Sequence, residues 1–165
     1  MSIQVIDNFL ELDSLQQIQE VMLKDCFAWF FNDSVSSENN LENHNFQFTH
    51  TFFRDDKVTS AWFFLLDNVL EKISLTTLLK IKANLLTISE KQKIFDYHVD
   101  IADKIKGKTA IFYVNSNNGF TLFEDGTKIS SVANRIVIFD NNILHTGTTC
   151  SDQKTRCVIN FNYIE

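Results

Sequence analysis

Between residues 79 and 163 the chain divides into short segments of alternating apolar and polar residues, and Gly107, Gly119, Gly126 and Gly147, its only glycines, all lie between them. Alternation at period two sends successive side chains to opposite faces, which is the pattern of a strand with one buried face. The spacing predicts strands over 79–87, 95–101, 109–115, 121–123, 135–139 and 155–163. Asn118-Gly119 and Asp125-Gly126 are pairs that tolerate positive φ and close tight hairpins, while Gly107 and Gly147 mark two further turns. Proline is absent, so no strand carries its usual breaker. Such a chain has little choice but an antiparallel sandwich or barrel.

The first half reads differently, as mostly helical. Ser14-Leu15-Gln16-Gln17 has the form of a capping box, followed by Leu15, Ile18, Val21 and Met22 at helical spacing. A second helix is expected from Thr59 or Ser60, with Trp62, Phe63, Leu66, Val69, Leu70 and Ile73 as its apolar stripe. Residues 32–45 are rich in Asn, Ser and Glu and form a loop, either a plain surface loop or a lid. Residues 46–53 alternate as a strand. With no internal repeat, the expectation is one domain over 1–165: a helical support region of about 1–78 and a sheet core of about 79–165.

The bulk properties narrow the function. A net charge of −6 without a dense basic tract argues against duplex nucleic acid as a partner. Lys104, Lys106 and Lys108 around Gly107 read as a solvated turn. No apolar run reaches the length of a membrane span, and the start lacks a signal-peptide pattern, so a soluble cytoplasmic protein is expected. Cys26, Cys150 and Cys157 form no CxxC pair and fit reduced thiols.

The chemistry concentrates in His98-Val99-Asp100, His145 and, eleven residues later, Arg156. On a strand, His98 and Asp100 share a face. Two imidazoles and a carboxylate can hold one face of a metal and leave the opposite face open, the arrangement of non-heme Fe(II) oxygenases. Arg156 adds a guanidinium fork suited to a carboxylate. Arg156, Val158, Asn160 and Asn162 share one strand face, which either meets solvent or, the reading favoured by His145 upstream, lines a polar cavity, and Cys157, Ile159, Phe161 and Tyr163 share the core face. His44 and His50 read as structural or surface groups. Taken alone, His-x-Asp is short enough to arise by chance.

An ordered series of segments makes it specific. Lys82-Ala83-Asn84-Leu85, Tyr97-His98-Val99-Asp100, Thr109 to Asn115, Asn118-Gly119-Phe120-Thr121-Leu122-Phe123, Asn134 to Phe139, His145-Thr146-Gly147 and Arg156 follow one another. Over residues 79–164 the chain resembles the 2-oxoglutarate- and Fe(II)-dependent dioxygenases, near their prolyl-4-hydroxylase-like branch of bacteria and phages. The resemblance implies a mainly β double-stranded β-helix (jelly roll, cupin-like) with N-terminal helices buttressing one sheet. It implies that His98, Asp100 and His145 bind Fe(II) and that Arg156 pairs with the far carboxylate of 2-oxoglutarate. By the same resemblance Tyr113 hydrogen-bonds that carboxylate, and Thr121 and Asn84 border the co-substrate. O₂ would be consumed, succinate and CO₂ released and a substrate hydroxylated, with ascorbate as an optional accessory.

Phe120 stands where many relatives have a second glycine, and the chain is shorter than most prolyl hydroxylases; both departures concern the peptide groove. Peptidyl proline is the leading substrate, with a free amino acid, another small metabolite or a modified base as alternatives. The rival reading from another class is a non-catalytic jelly roll that binds a metal or a small acid. A third is a jelly-roll isomerase or hydrolase using another divalent metal, for which the Arg156 clamp would have no purpose.

Overall fold

The computed structural model describes residues 2–35, 45–101 and 105–165. Among these residues eleven strands run in chain order: β1 Gln4–Ile6, β2 Phe30–Asn32, β3 Gln47–Arg54, β4 Lys57–Val58, β5 Thr77–Thr87, β6 Lys108–Tyr113, β7 Phe120–Phe123, β8 Lys128–Ser130, β9 Arg135–Asp140, β10 His145–Gly147 and β11 Thr155–Ile164. One sheet has the order β1-β9-β6-β11-β5-β3-β2, with β4 beside β3; a smaller sheet has the order β10-β7-β8. All pairings are antiparallel.

Strand β11 is the spine of the large sheet. It pairs with β5 on one side and β6 on the other, setting Ile159 opposite both Ala83 and Phe112. Its odd positions, Cys157, Ile159, Phe161 and Tyr163, enter a core closed by helix α1, Leu12–Met22, through Leu15, Ile18 and Met22. Burying side chains of this size contributes roughly 1.5–3 kcal/mol each. A second apolar cluster fills the space between the sheets. There Ile111, Tyr113, Val137 and Val158 of the large sheet meet Phe123 of the small one.

The first half is not mostly helical. It supplies β1 to β4, all in the large sheet. Strands of two or three residues such as β1, β2 and β4 are too short to display a period, so their sequences conceal them. Helix α1 is where the spacing placed it, yet its N-cap is Glu11 rather than Ser14. Ser14 lies inside the first turn, and its hydroxyl accepts a hydrogen bond from Asn68 at 2.8 Å. The second helix shrinks to a 3-10 turn, Phe63–Leu66, and a single α turn, α2 Asp67–Leu70. Its stripe is buried at Leu66, Val69 and Ile73, as the periodicity required. The expected start fails because Thr59 is held by β3, its N–H donating to Phe52 and its hydroxyl to Thr51.

Residues 95–101 do not form a strand; the isolated bridges Ile94 to Thr148 and His98 to His145, the Thr146 hydroxyl on the Phe95 carbonyl and the amides of Asn160 and Asn162 on Asp100 hold this stretch. Cys26 is exposed, Cys150 and Cys157 are buried, and all three are free thiols. Lys108 pairs with Asp140 at 2.9 Å, consistent with the solvated turn, whereas Lys104, His44 and most of the 32–45 loop lie outside the described residues. Among the described residues no helix is long and apolar enough to cross a membrane.

Candidate metal centre

His98 and His145 are brought together by their backbones. Each donates its N–H to the other's carbonyl, at 2.9 and 3.0 Å, so two segments 47 positions apart meet in register. Asp100 follows two residues after His98, and the ligand atoms of His98, Asp100 and His145 all lie within 4.8 Å of one another. The Nε2 atoms of His98 and His145 stand 3.8 and 3.9 Å from the two oxygens of Asp100. On the far side of each ring Nδ1 faces a backbone carbonyl, Asp96 for His98 at 3.2 Å and Ile143 for His145 at 3.1 Å. A carbonyl can only accept, so it fixes the proton on Nδ1 and leaves the Nε2 lone pair turned inward.

The electrostatics keep this donor set in its binding form. Burial pushes the Asp100 carboxyl up, but His145, His98, the Asn162 hydrogen bond and Lys82 together outweigh it and hold its pKa below the ordinary carboxylate value. Burial pushes the His145 imidazole down, against the pull of Asp100. A carboxylate beside a neutral imidazole is what a divalent cation requires. Rings of Phe139 and Phe123 border His145, with centroids 4.8 and 6.2 Å away. Asn160 donates to both oxygens of Asp100, at 3.3 and 3.1 Å, and Asn162 to one, at 3.3 Å.

Arg156 lies in the same cavity as the triad, with Asn84 and Thr121 also on its wall. It is 3 % exposed, and among the described residues it has no acidic partner. Its Nε donates to the Ser131 hydroxyl at 2.9 Å and its Nη2 to Thr121 at 3.2 Å, so the fork is aimed but its charge is uncompensated. A buried cation in that state is costly unless an anion joins it.

The Tyr113 hydroxyl donates to the same Thr121 oxygen at 2.8 Å, and its ring centroid lies 5.8 Å from the Arg156 Cζ. Burial raises the pKa of this phenol, which therefore remains a donor. Asn84 contributes a buried Oδ1 that has no partner, and Asn160 another.

The structure thus gathers His98, Asp100, His145, Arg156, Thr121 and Asn84 on the wall of one cavity, with Tyr113 buried behind Thr121. His50 is elsewhere, its Nδ1 and Nε2 both 2.7 Å from protein partners, the Ala28 carbonyl and the Ser60 hydroxyl. Sequence reasoning missed Ser131 and the work of two glycines. Gly119 does not adopt the positive φ expected of its Asn-Gly pair. Its role is close approach: a Cβ there would come within 2.6 Å of the Arg156 Cδ, and one at Gly147 within 3.3 Å of Nη1. The parity of β11 did place Asn160 on the cavity wall and Asn162 on the same strand face, though it did not show their bonds with Asp100.

No protein-family model matches the sequence, and no curated protein does. Solved structures do. A 2OG-Fe(II) oxygenase family oxidoreductase from Burkholderia pseudomallei aligns at TM-score 0.71 and 7 % identity, covering 98 % of this chain and 85 % of that one. A prolyl hydroxylase from Trichoplax adhaerens, solved with a hypoxia inducible factor peptide fragment, aligns at TM-score 0.66 and 15 % identity over 98 % and 83 %. The viral collagen prolyl hydroxylase of Paramecium Bursaria Chlorella virus-1 aligns at TM-score 0.61 and 12 % identity over 100 % and 90 %. The fold is the jelly roll that these oxygenases share.

Proposed function

We propose that this chain is an Fe(II)- and 2-oxoglutarate-dependent dioxygenase. The observation that carries the proposal is a single cavity with the His98, Asp100, His145 donor set and the buried, uncompensated Arg156 on its wall. A protein that binds a metal alone, with no acidic ligand beside it, has no use for that guanidinium. His98, Asp100 and His145 would hold Fe(II), which with 2-oxoglutarate supplies activation of O₂ for hydroxylation, with succinate and CO₂ as co-products.

The chain's own groups do the positioning. Asn160 and Asn162 fix the Asp100 carboxylate, and the Asp96 and Ile143 carbonyls fix the two imidazoles. Arg156, held by Ser131 and Thr121, takes the far carboxylate of 2-oxoglutarate, with the Tyr113 hydroxyl within one hydrogen bond of the same point. Phe123 and Phe139 keep water from the His145 side. The likeness to prolyl hydroxylases makes peptidyl proline the first substrate to try.

Anaerobic addition of Fe(II) and 2-oxoglutarate should give a visible charge-transfer band, and admission of air should yield succinate. Neither band nor succinate would leave the oxygenase reading without support and favour a binding protein.

A further inference from the structure

Beside the metal centre the inner face of the large sheet continues onto β5 and β3, and there it carries cations. Lys82 lines the cavity with His98 and Asp100 and sits directly opposite Asn160 in the register of β5 with β11. Two residues earlier on the same face, Lys80 stands opposite Asn162 on one side and opposite Arg54 of β3 on the other. None of the three side chains makes an ion pair or hydrogen bond with any described residue.

The arrangement runs against what the fold needs. Like charges directly opposite each other in a sheet destabilise it. The chain as a whole is acidic, at −6, yet the acid that acts on Lys82, Asp100, belongs to the metal donor set and forms no ion pair with it. Burial and the neighbouring charges of Lys80 and Arg54 push the Lys82 ammonium down, against the pull of Asp100. Lys82 is partly buried and Lys80 likewise, whereas Arg54 is exposed, so the cations lead from the cavity to the surface. Arg156, the residue placed to take 2-oxoglutarate, faces Leu86 in the same register, two steps along β5 from Lys82 beyond Asn84. The co-substrate clamp and the lysine are therefore separate points on one sheet face.

We infer that Lys82, supported by Lys80 and Arg54, recognises a carboxylate on the substrate that is to be oxidised. This deepens the oxygenase reading and rests on it for the word substrate. The required chemistry is an acidic group close to the carbon presented to the metal, whether in a small acid or in an acidic side chain flanking a peptidyl proline. The partnerless Asn84 oxygen beside Lys82 is placed to accept a hydrogen bond from an amide N–H of the same molecule.

Matched pairs that differ only in that charge test the inference: N-acetyl-aspartate against N-acetyl-asparagine, and Ac-Ala-Pro-Asp-amide against Ac-Ala-Pro-Asn-amide. Binding is read by calorimetry on protein loaded anaerobically with Fe(II) and 2-oxoglutarate. In at least one pair the acid should bind about ten-fold or more tightly than its amide, and which pair does so separates a small acid from an acidic peptide. Lys82→Met should bring that preference below about two-fold with the charge-transfer band retained, Lys82→Arg should keep most of it, and Lys80→Met should have a smaller effect. No preference for the acid in either pair, or a preference that survives Lys82→Met, overturns the inference. The band and succinate report on the oxygenase reading and the charge preference on Lys82, so the two can fail independently.

Discussion

Asn160 holds both oxygens of Asp100 with one side-chain amide, at 3.3 and 3.1 Å. That bond comes from the central strand of the large sheet, so the carboxylate is positioned by an element paired on both sides rather than by the irregular segment that carries it. Partners of this kind orient a metal ligand, and their loss typically lowers metal affinity about 10- to 100-fold. Asn160→Ala should fall in that range and the double variant with Asn162→Ala below it, measured by competition titration with a chelating dye. Unchanged affinity in the double variant would mean that Asp100 needs no support.

Arg156→Met separates binding from folding. A hydrogen bond to a charged group contributes about 1.5–3 kcal/mol, so 2-oxoglutarate affinity should fall roughly 10- to 150-fold while Fe(II) affinity is preserved. Because the guanidinium is buried without a counter-ion, its replacement should also raise the Tm of the free protein. A lower Tm with equal losses of metal and co-substrate would show that Arg156 is structural.

Gly119→Ala should imitate that variant from the turn that precedes β7. The new Cβ would lie 2.6 Å from the Arg156 Cδ and 2.7 Å from the Asn117 Oδ1, so the arginine or the turn must move. Gly147→Ala, at 3.3 Å from Nη1, should be milder. In both, the Kd for 2-oxoglutarate rises and that for metal does not; the reverse order of severity would place the guanidinium differently.

The metal-free protein should lose stability as pH falls below 6.5, the ordinary value from which burial lowers His145. Above it the imidazole is neutral in both states. Below it the unfolded chain takes up a proton that folded His145 still refuses, so stability drops until the lowered folded value is reached. With a chelator present, the fall in Tm between about pH 7.5 and 5.5 should be smaller in His145→Gln than in the wild type.

How much of the fold and site is legible in the sequence depends on element length. Across its ten residues β11 alternates well enough, with Val158 as the exception on the Arg156, Asn160 and Asn162 side, that its core face and its polar face can be read from the residue order alone. The jelly roll and the triad follow from the order of such segments. The three-residue strands β1 and β2 carry no period, and Thr59, drawn into β3 by two hydrogen bonds, looks like a helix start because its partners lie on another strand. Gly119 looks like a turn residue because a neighbour 37 positions away, Arg156, is what forbids its side chain. Ser131 and Lys82 give no local signal, since a hydroxyl or an ammonium gains its meaning from what the register sets beside it.

Strand β11 also fixes a length. Arg156 and Asn160 are four residues apart on an extended backbone paired with β5 throughout and with β6 from Val158 onward, an interval of roughly 13 Å that stretching or slippage would change only by breaking that register. Under the proposed function the strand would act as a ruler, with Arg156 at one mark and the support of Asp100 at another. A 2-oxo diacid one carbon shorter or longer than 2-oxoglutarate would then meet a gauge that cannot be reset, and co-substrate choice would be a property of backbone register.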